Sequence, residues 1–181
     1  KQILTTASLI AADLLNADDQ DDDGIPLVHP VSCGSEGNEP LLIKLPSLRD
    51  EAHKISELLS NAHQEGHAWG DMAIICRDWA TIDICANALS QRKRPHRMRK
   101  RPGDVDPQSD TITIMTMHVS KGLECPVVAL PGVGQMPKPG EDIHEEARLF
   151  YVAATRATNR LLITLSGDGE FGRRLSQGQV Q

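Results

Sequence analysis

Aromatic residues are scarce in this chain: two Trp, one Tyr and two Phe among 181 residues. A core must therefore rest on Leu, Ile, Val, Ala and Met, and a hydrophobic content of 39% supplies enough of them for one domain. Positive charge is not in excess either. A formal charge of −6 excludes a wholly basic nucleic-acid-binding module, although a local basic patch can still bind phosphate. No apolar run approaches the ~20 residues of a membrane-spanning helix, so no membrane partner is expected. The cysteines, Cys33, Cys76, Cys85 and Cys125, form no CxxC pair and fit no common zinc spacing. Cys76 lies in an apolar run and reads as a buried free thiol, and a reducing, cytosolic setting is the simplest reading. The opening KQILTTASLI has neither an initiator Met nor a signal-peptide layout, so the chain reads as a piece of something longer.

What is present alternates between two periods. Residues 2–15 carry Ile3, Leu4, Ala7, Ile10, Ala11, Leu14 and Leu15 at helical spacing. The acidic run NADDQDDDG (16–24) reads as a solvated loop; it lacks the alternation and terminal Glu of an EF-hand, so no metal is expected there. PLLIKLP (40–46) reads as a strand. Residues 47–65 read as a helix with Leu48, Ala52, Ile55, Leu58 and Leu59 on one face, capped by Ser47 with Asp50 three residues on. MAIIC (72–76) is a continuous apolar run, the mark of a strand buried on both faces of a parallel sheet. A helix over 80–91 follows, then strands at 111–117, 126–130 and 160–165. A helix over about 142–158 separates the last two and opens on a capping box, Asp142 with Glu145. Strands alternating with helices predict an α/β domain with a mainly parallel sheet, whose ligands bind beyond the carboxyl ends of the strands.

Three stretches carry chemistry. TITIMTMHVSKGLE (111–124) stops a β-branched run on His118, Ser120, Lys121, Gly122 and Glu124. A strand-to-helix turn there would aim N–H groups at an anion, with Gly122 allowing close approach, Glu124 accepting from a sugar hydroxyl, and His118 and Ser120 donating to phosphate. An ordinary polar turn fits the same residues. In EEARLFYVAATRATNRLLI (145–163), Leu149, Val152 and Ala153 are expected to form the apolar face. Arg156, two turns from Arg148 near the helix end, reads either as a dipole or salt-bridge partner or as a cation neutralising a transferred phosphoryl group. RKRPHRMRKR (92–101) holds seven of the nineteen Lys and Arg, and reads as a contact to a nucleic-acid backbone or as a solvated strand or loop. A nuclear-localisation reading is weaker.

TITIMTMHVSKGLE resembles motif V of the UvrD/Rep-like superfamily 1 DNA helicases, and EEARLFYVAATRA resembles their motif VI. MAIICRDWATIDICANAL is similar to the strand-helix segment between motifs IV and V. Order and spacing agree with the second RecA-like motor domain over residues 1–166, with 167–181 expected as a flexible C-terminal tail. The resemblance implies a RecA-like, P-loop NTPase-type three-layer sandwich with a mainly parallel sheet. It implies half of an ATP-dependent helicase or translocase, moving 3′ to 5′ on single-stranded DNA and paired with the N-terminal RecA-like domain of the same polypeptide. By position Arg156 would reach the γ-phosphate of ATP as the catalytic arginine, and Gly122 and Glu124 would lie at the nucleotide with Glu124 on the ribose. Thr116, His118 and Ser120 would face DNA and couple it to the ATP site. Arg148 and Tyr151 would pack motif VI against motif V.

The departures are informative. No GxxxxGK[ST] loop occurs and no acidic pair follows a strand, so Mg²⁺ and the main phosphate loop would sit on the other motor domain and the fragment alone would be inactive. The motif IV arginine would fall upstream of Lys1. Only RPGDVDPQSD or so separates the basic run from the motif V strand, leaving no room for the family's large accessory insertion. Cys125 stands where the family usually has Phe. The rival expectation is a degenerate, non-catalytic scaffold or nucleic-acid-binding domain of the same fold.

Overall fold

A computed structural model describes residues 2–11, 14–15, 38–104, 106 and 108–178. The acidic run and Cys33 lie outside the described residues. Six strands form one sheet: β1 (Leu41–Lys44), β2 (Met72–Cys76), β3 (His96–Met98), β4 (Ile112–Thr116), β5 (Cys125–Leu130) and β6 (Ala157–Leu165). Their order is β1-β6-β5-β2-β4-β3 and every pairing is parallel. The sheet takes helices on both faces, as expected of a three-layer α/β domain. Strand alternation decides which face each residue serves. Ala73, Ile75, Met115, Val128, Leu161 and Ile163 share a core with α1 (Gln2–Ala11), α4 (Ile143–Ala154) and α5 (Glu170–Gly178). Met72, Ile74, Cys76, Ile114, Val127 and Ala129 face α2 (Leu48–Gln64) and α3 (Trp79–Gln91). β2 is buried at all five positions, as its unbroken apolar run requires.

Local signals set the helix starts. The Ser47 side chain accepts from the Asp50 N–H, Asp78 accepts from Thr81, and Asp142 accepts from His144 and Glu145. Glu145 forms an ion pair with Arg148 (3.1 Å). The helix expected over 142–158 ends at Ala154, because residues 157–159 join β6 beside β5. Its buried apolar face is Ala147, Phe150, Tyr151, Ala153 and Ala154; of the expected set Ala153 is buried, while Leu149 and Val152 are only half-buried. The basic run contains β3, held at the sheet edge by pairing with β4.

Residues 167–178 are not a loose tail. α5 buries Phe171 and Leu175, and Phe171 meets Phe150 edge-to-face at 6.4 Å. Its approach depends on glycine: a Cβ at Gly172 would sit 3.0 Å from the Gly134 Cα.

One buried carboxylate ties the layers together. Glu51, in the first turn of α2, is fully buried and accepts from the Gly132 N–H (2.9 Å), the Thr164 hydroxyl (2.8 Å) and the Ser166 hydroxyl. It thereby joins α2 to the loop after β5 and to the end of β6. A buried acceptor is tolerable only with donors of this kind around it.

Candidate nucleotide and nucleic-acid site

The parallel topology corrects one expectation about the motif V stretch. β4 and β5 both run parallel to β2. The chain leaving the carboxyl end of β4 must therefore cross to the amino end of β5, and residues 117–124 make that crossing. No α-helix follows β4. A single 3-10 turn, Met117–Val119, is closed by the Ser120 and Leu123 N–H groups bonding to Met117 O and Ser120 O, so those two donors are not aimed at an anion. The stretch places its residues at opposite ends of the sheet. Thr116 and His118 lie at the carboxyl edge, whereas Gly122 and Glu124 reach the amino edge.

The amino edge is where Arg156 lies. Cys125 pairs with Ala157, and the Cys125 N–H donates to Arg156 O (3.0 Å). Glu124 and Arg156, each one residue earlier, therefore start adjacent strands. The Arg156 Nε donates to Val152 O (3.0 Å), Nη1 to Leu123 O (3.4 Å) and Nη2 to the Thr155 hydroxyl (3.4 Å). These acceptors are neutral, and among the described residues no carboxylate pairs with this half-buried guanidinium. It neither caps an acidic partner nor turns inward; it is draped across the Gly122–Glu124 segment. Glu124 and Gly122 are both exposed, and Gly122 adopts φ +74° with open space where a Cβ would lie.

At the carboxyl edge the residues divide. His118 is exposed. Thr116 is nearly buried, and Ser120 is wholly buried with its hydroxyl donating to Met117 O (2.7 Å). Ser120 therefore braces the turn and does not present its hydroxyl to a strand. α4 packs on this turn, and its Tyr151 is buried.

Sequence reasoning missed two features of this edge. Arg77, just after β2, bonds Glu146 Oε1 through Nη2 (2.6 Å) and Nε (2.7 Å), and Glu146 is buried. The Lys138 N–H donates to Glu146 Oε2 (3.1 Å), while its ammonium pairs with Asp78 (3.0 Å). This buried pair locks α4 to the end of β2. The only sequence signal was an acidic residue on the inward side of a helix. Trp79, next to Asp78, is an exposed aromatic.

A cavity of about 380 Å³ opens beside Glu124, lined in part by Arg97, Arg99, Thr113 and Cys125. Burial pushes the Cys125 thiol up to about 11; the Asp71 carboxylate adds to this and Arg99 offsets it. The sign follows by linkage. The native thiol keeps its proton where an unfolded chain has lost it, so this group's stabilisation is full below pH ~9 and is lost as pH rises toward ~11. The denaturation midpoint of the wild type should fall more steeply over that window than that of Cys125→Ala; parallel profiles would contradict it. Among the described residues no group of three His, Cys, Asp or Glu could hold a metal ion.

The model of the UvrD-like helicase C-terminal domain family matches residues 98–168. The ATP-dependent DNA helicase srs2 of Schizosaccharomyces pombe is 38% identical over 107 residues, 56% of this chain and 12% of that protein. The ATP-dependent DNA helicase Rep of Escherichia coli is 41% identical over 69 residues, 35% of this chain and 10% of its own length. PcrA of Bacillus subtilis is 44% identical over 62 residues, 30% of this chain and 8% of its length. The chain thus spans about a tenth of these curated relatives. Among solved structures, the C-terminal domain of a possible DNA helicase from Lactobacillus plantarum WCFS1 superposes with a TM-score of 0.69 at 16% identity, covering 97% of this chain and 91% of that one; at that identity it speaks to the fold. Residues 98–168 thus match the UvrD-like helicase C-terminal domain family, with DNA helicases of the UvrD/Rep type as relatives, and the chain as a whole has the RecA-like α/β fold of a helicase C-terminal domain.

Proposed function

We propose that this chain is the second motor domain of an ATP-dependent DNA helicase or translocase, with Arg156 as its arginine finger. The observation that carries the reading is the position of Arg156 beside Gly122 and Glu124 at the amino edge of β5 and β6, with only neutral acceptors around its charge. Such a group can turn toward a γ-phosphate without breaking an ion pair, and its planar fork suits phosphate oxygens. Glu124 accepts from the ribose, and the open backbone at Gly122 lets the nucleotide approach.

The residues of this edge fit the phosphate and sugar ends of ATP, and the described residues supply no cluster of metal ligands. Mg²⁺ and the phosphate loop belong to an N-terminal RecA-like domain of the same polypeptide. When bound, the magnesium nucleotide supplies the phosphoryl group; this chain orients it and offsets developing charge.

Single-stranded DNA lies across the carboxyl edge, against Thr116 and His118, with Trp79 offering a face for base stacking. Ser120 acts through the turn that it braces. Residues 117–124 then run from the DNA edge to the nucleotide edge, so a shift at one end has a short covalent path to the other. Movement is 3′ to 5′.

The 181-residue chain alone should show no ATP hydrolysis above background, because its sequence has no GxxxxGK[ST] phosphate loop. The complete polypeptide should hydrolyse ATP and accelerate on single-stranded DNA. A complete protein with no DNA-stimulated hydrolysis would replace the motor with a non-catalytic domain of the same fold.

A further inference from the structure

We propose that the β3 flank is a separate, sequence-independent binding surface for the phosphate backbone of nucleic acid. Seven of the nineteen cations fall within residues 92–101 of a chain whose formal charge is −6. The structure puts them around the edge strand of the sheet. Arg94 and Arg97 are pinned: Arg94 donates to the Ser60 hydroxyl (2.9 Å) and lies 5.6 Å over Trp69, which stacks on His63, while Arg97 donates to Asp104 O (2.6 Å). Arg92 and Lys93 precede β3 and Lys100 and Arg101 follow it. These four are exposed, and among the described residues none of their side chains pairs with a carboxylate; the Asp104 carboxylate is turned to the chain, accepting from the backbone N–H groups of Lys100 (3.3 Å) and Arg101 (3.2 Å). Elsewhere Lys54, Arg77, Lys138, Arg148, Arg160 and Arg174 each have one, and the other cations without one among the described residues, Lys44, Arg49, Arg156 and Arg173, are scattered along the chain rather than clustered.

The four charges form two pairs of sequence neighbours, Arg92 with Lys93 and Lys100 with Arg101, and within each pair like charges closer than a Debye length of about 8 Å repel one another. A polyanion would relieve that repulsion. Charge on an edge strand also blocks edge-to-edge pairing, but these four lie before and after the strand, where there is no ladder to protect. At ~3.3 Å per residue the path from Lys93 to Lys100 spans at most about 23 Å, room for up to roughly seven phosphates of one strand at ~3.4 Å each. Lys100 and Arg101 leave β3 beside the carboxyl end of β4. The flank therefore extends outward from the edge carrying His118, and does not depend on any role for Arg156.

The test is binding of a labelled oligonucleotide of about 20 nucleotides, single-stranded and duplex, between about 50 and 200 mM salt. The variant combines Arg92→Gln, Lys93→Asn, Lys100→Gln and Arg101→Gln; Asn tolerates the positive φ of Lys93. At low salt it should bind at least about tenfold more weakly, and the slope of log K against log salt should become shallower by about 3 on a single strand, more on a duplex. Exchanging the four residues between Arg and Lys should leave both quantities nearly unchanged. A neutralised variant with wild-type affinity and slope overturns the proposal, whether the flank is merely solvated or holds an acidic protein. His118→Ala separates this failure from failure of the DNA edge, since it should weaken binding without changing the slope.

Discussion

Arg156→Ala in the complete polypeptide should lower DNA-stimulated ATP hydrolysis by about 10³–10⁵-fold, the usual contribution of an arginine finger. The structure makes the substitution a clean one. The side chain is half-buried, and two of its three hydrogen bonds are long, at 3.4 Å. Their loss should cost only about 1 kcal/mol of stability, so folding survives. The effect should fall on kcat more than on KM, because the charge is needed where negative charge develops. Arg156→Lys should not rescue the rate, since an ammonium lacks the fork and the reach of a guanidinium. A variant with near-normal turnover would instead leave Arg156 as a brace between α4 and the motif V crossing.

The second large effect is on stability. Glu51→Ala removes one acceptor group and strands three donors: the Gly132 N–H and the Thr164 and Ser166 hydroxyls. Each orphaned buried donor costs about 1–3 kcal/mol. The costs are not additive, because the vacated volume can admit water. A total of about 3–5 kcal/mol is expected, which lowers Tm by about 10 °C in a chain of this size. Thr164→Val removes one donor at nearly constant shape and should cost less than half as much. Equal losses from the two variants, or none from Glu51→Ala, would mean that the network does not hold α2 to the sheet.

The parts of this fold legible in the sequence are those with a strong local cause. MAIIC is a strand because every residue is apolar, and Ser47 and Asp142 are helix caps at their expected places. β3 was legible only as one of two readings, since its residues are His96, Arg97 and Met98 and the strand forms through pairing with β4. α5 was missed because Phe171 and Leu175 supply a weak apolar stripe after a glycine-rich turn. The partition of the motif V stretch was also invisible. Spacing placed His118 and Glu124 together, and only the parallel register shows that the segment must cross the sheet, carrying Glu124 to Arg156 and leaving His118 behind. Ser120 looked like a phosphate donor in the sequence, yet its hydroxyl is bonded to Met117 O within its own turn.

The most direct measurement is a structure of the complete polypeptide with a non-hydrolysable ATP analogue, Mg²⁺ and single-stranded DNA. The guanidinium of Arg156 should leave Leu123 O and sit about 3 Å from a γ-phosphate oxygen, with Glu124 at the ribose. A γ-phosphate untouched by this domain, with Arg156 still on Val152 O and Leu123 O, would contradict the role assigned to it.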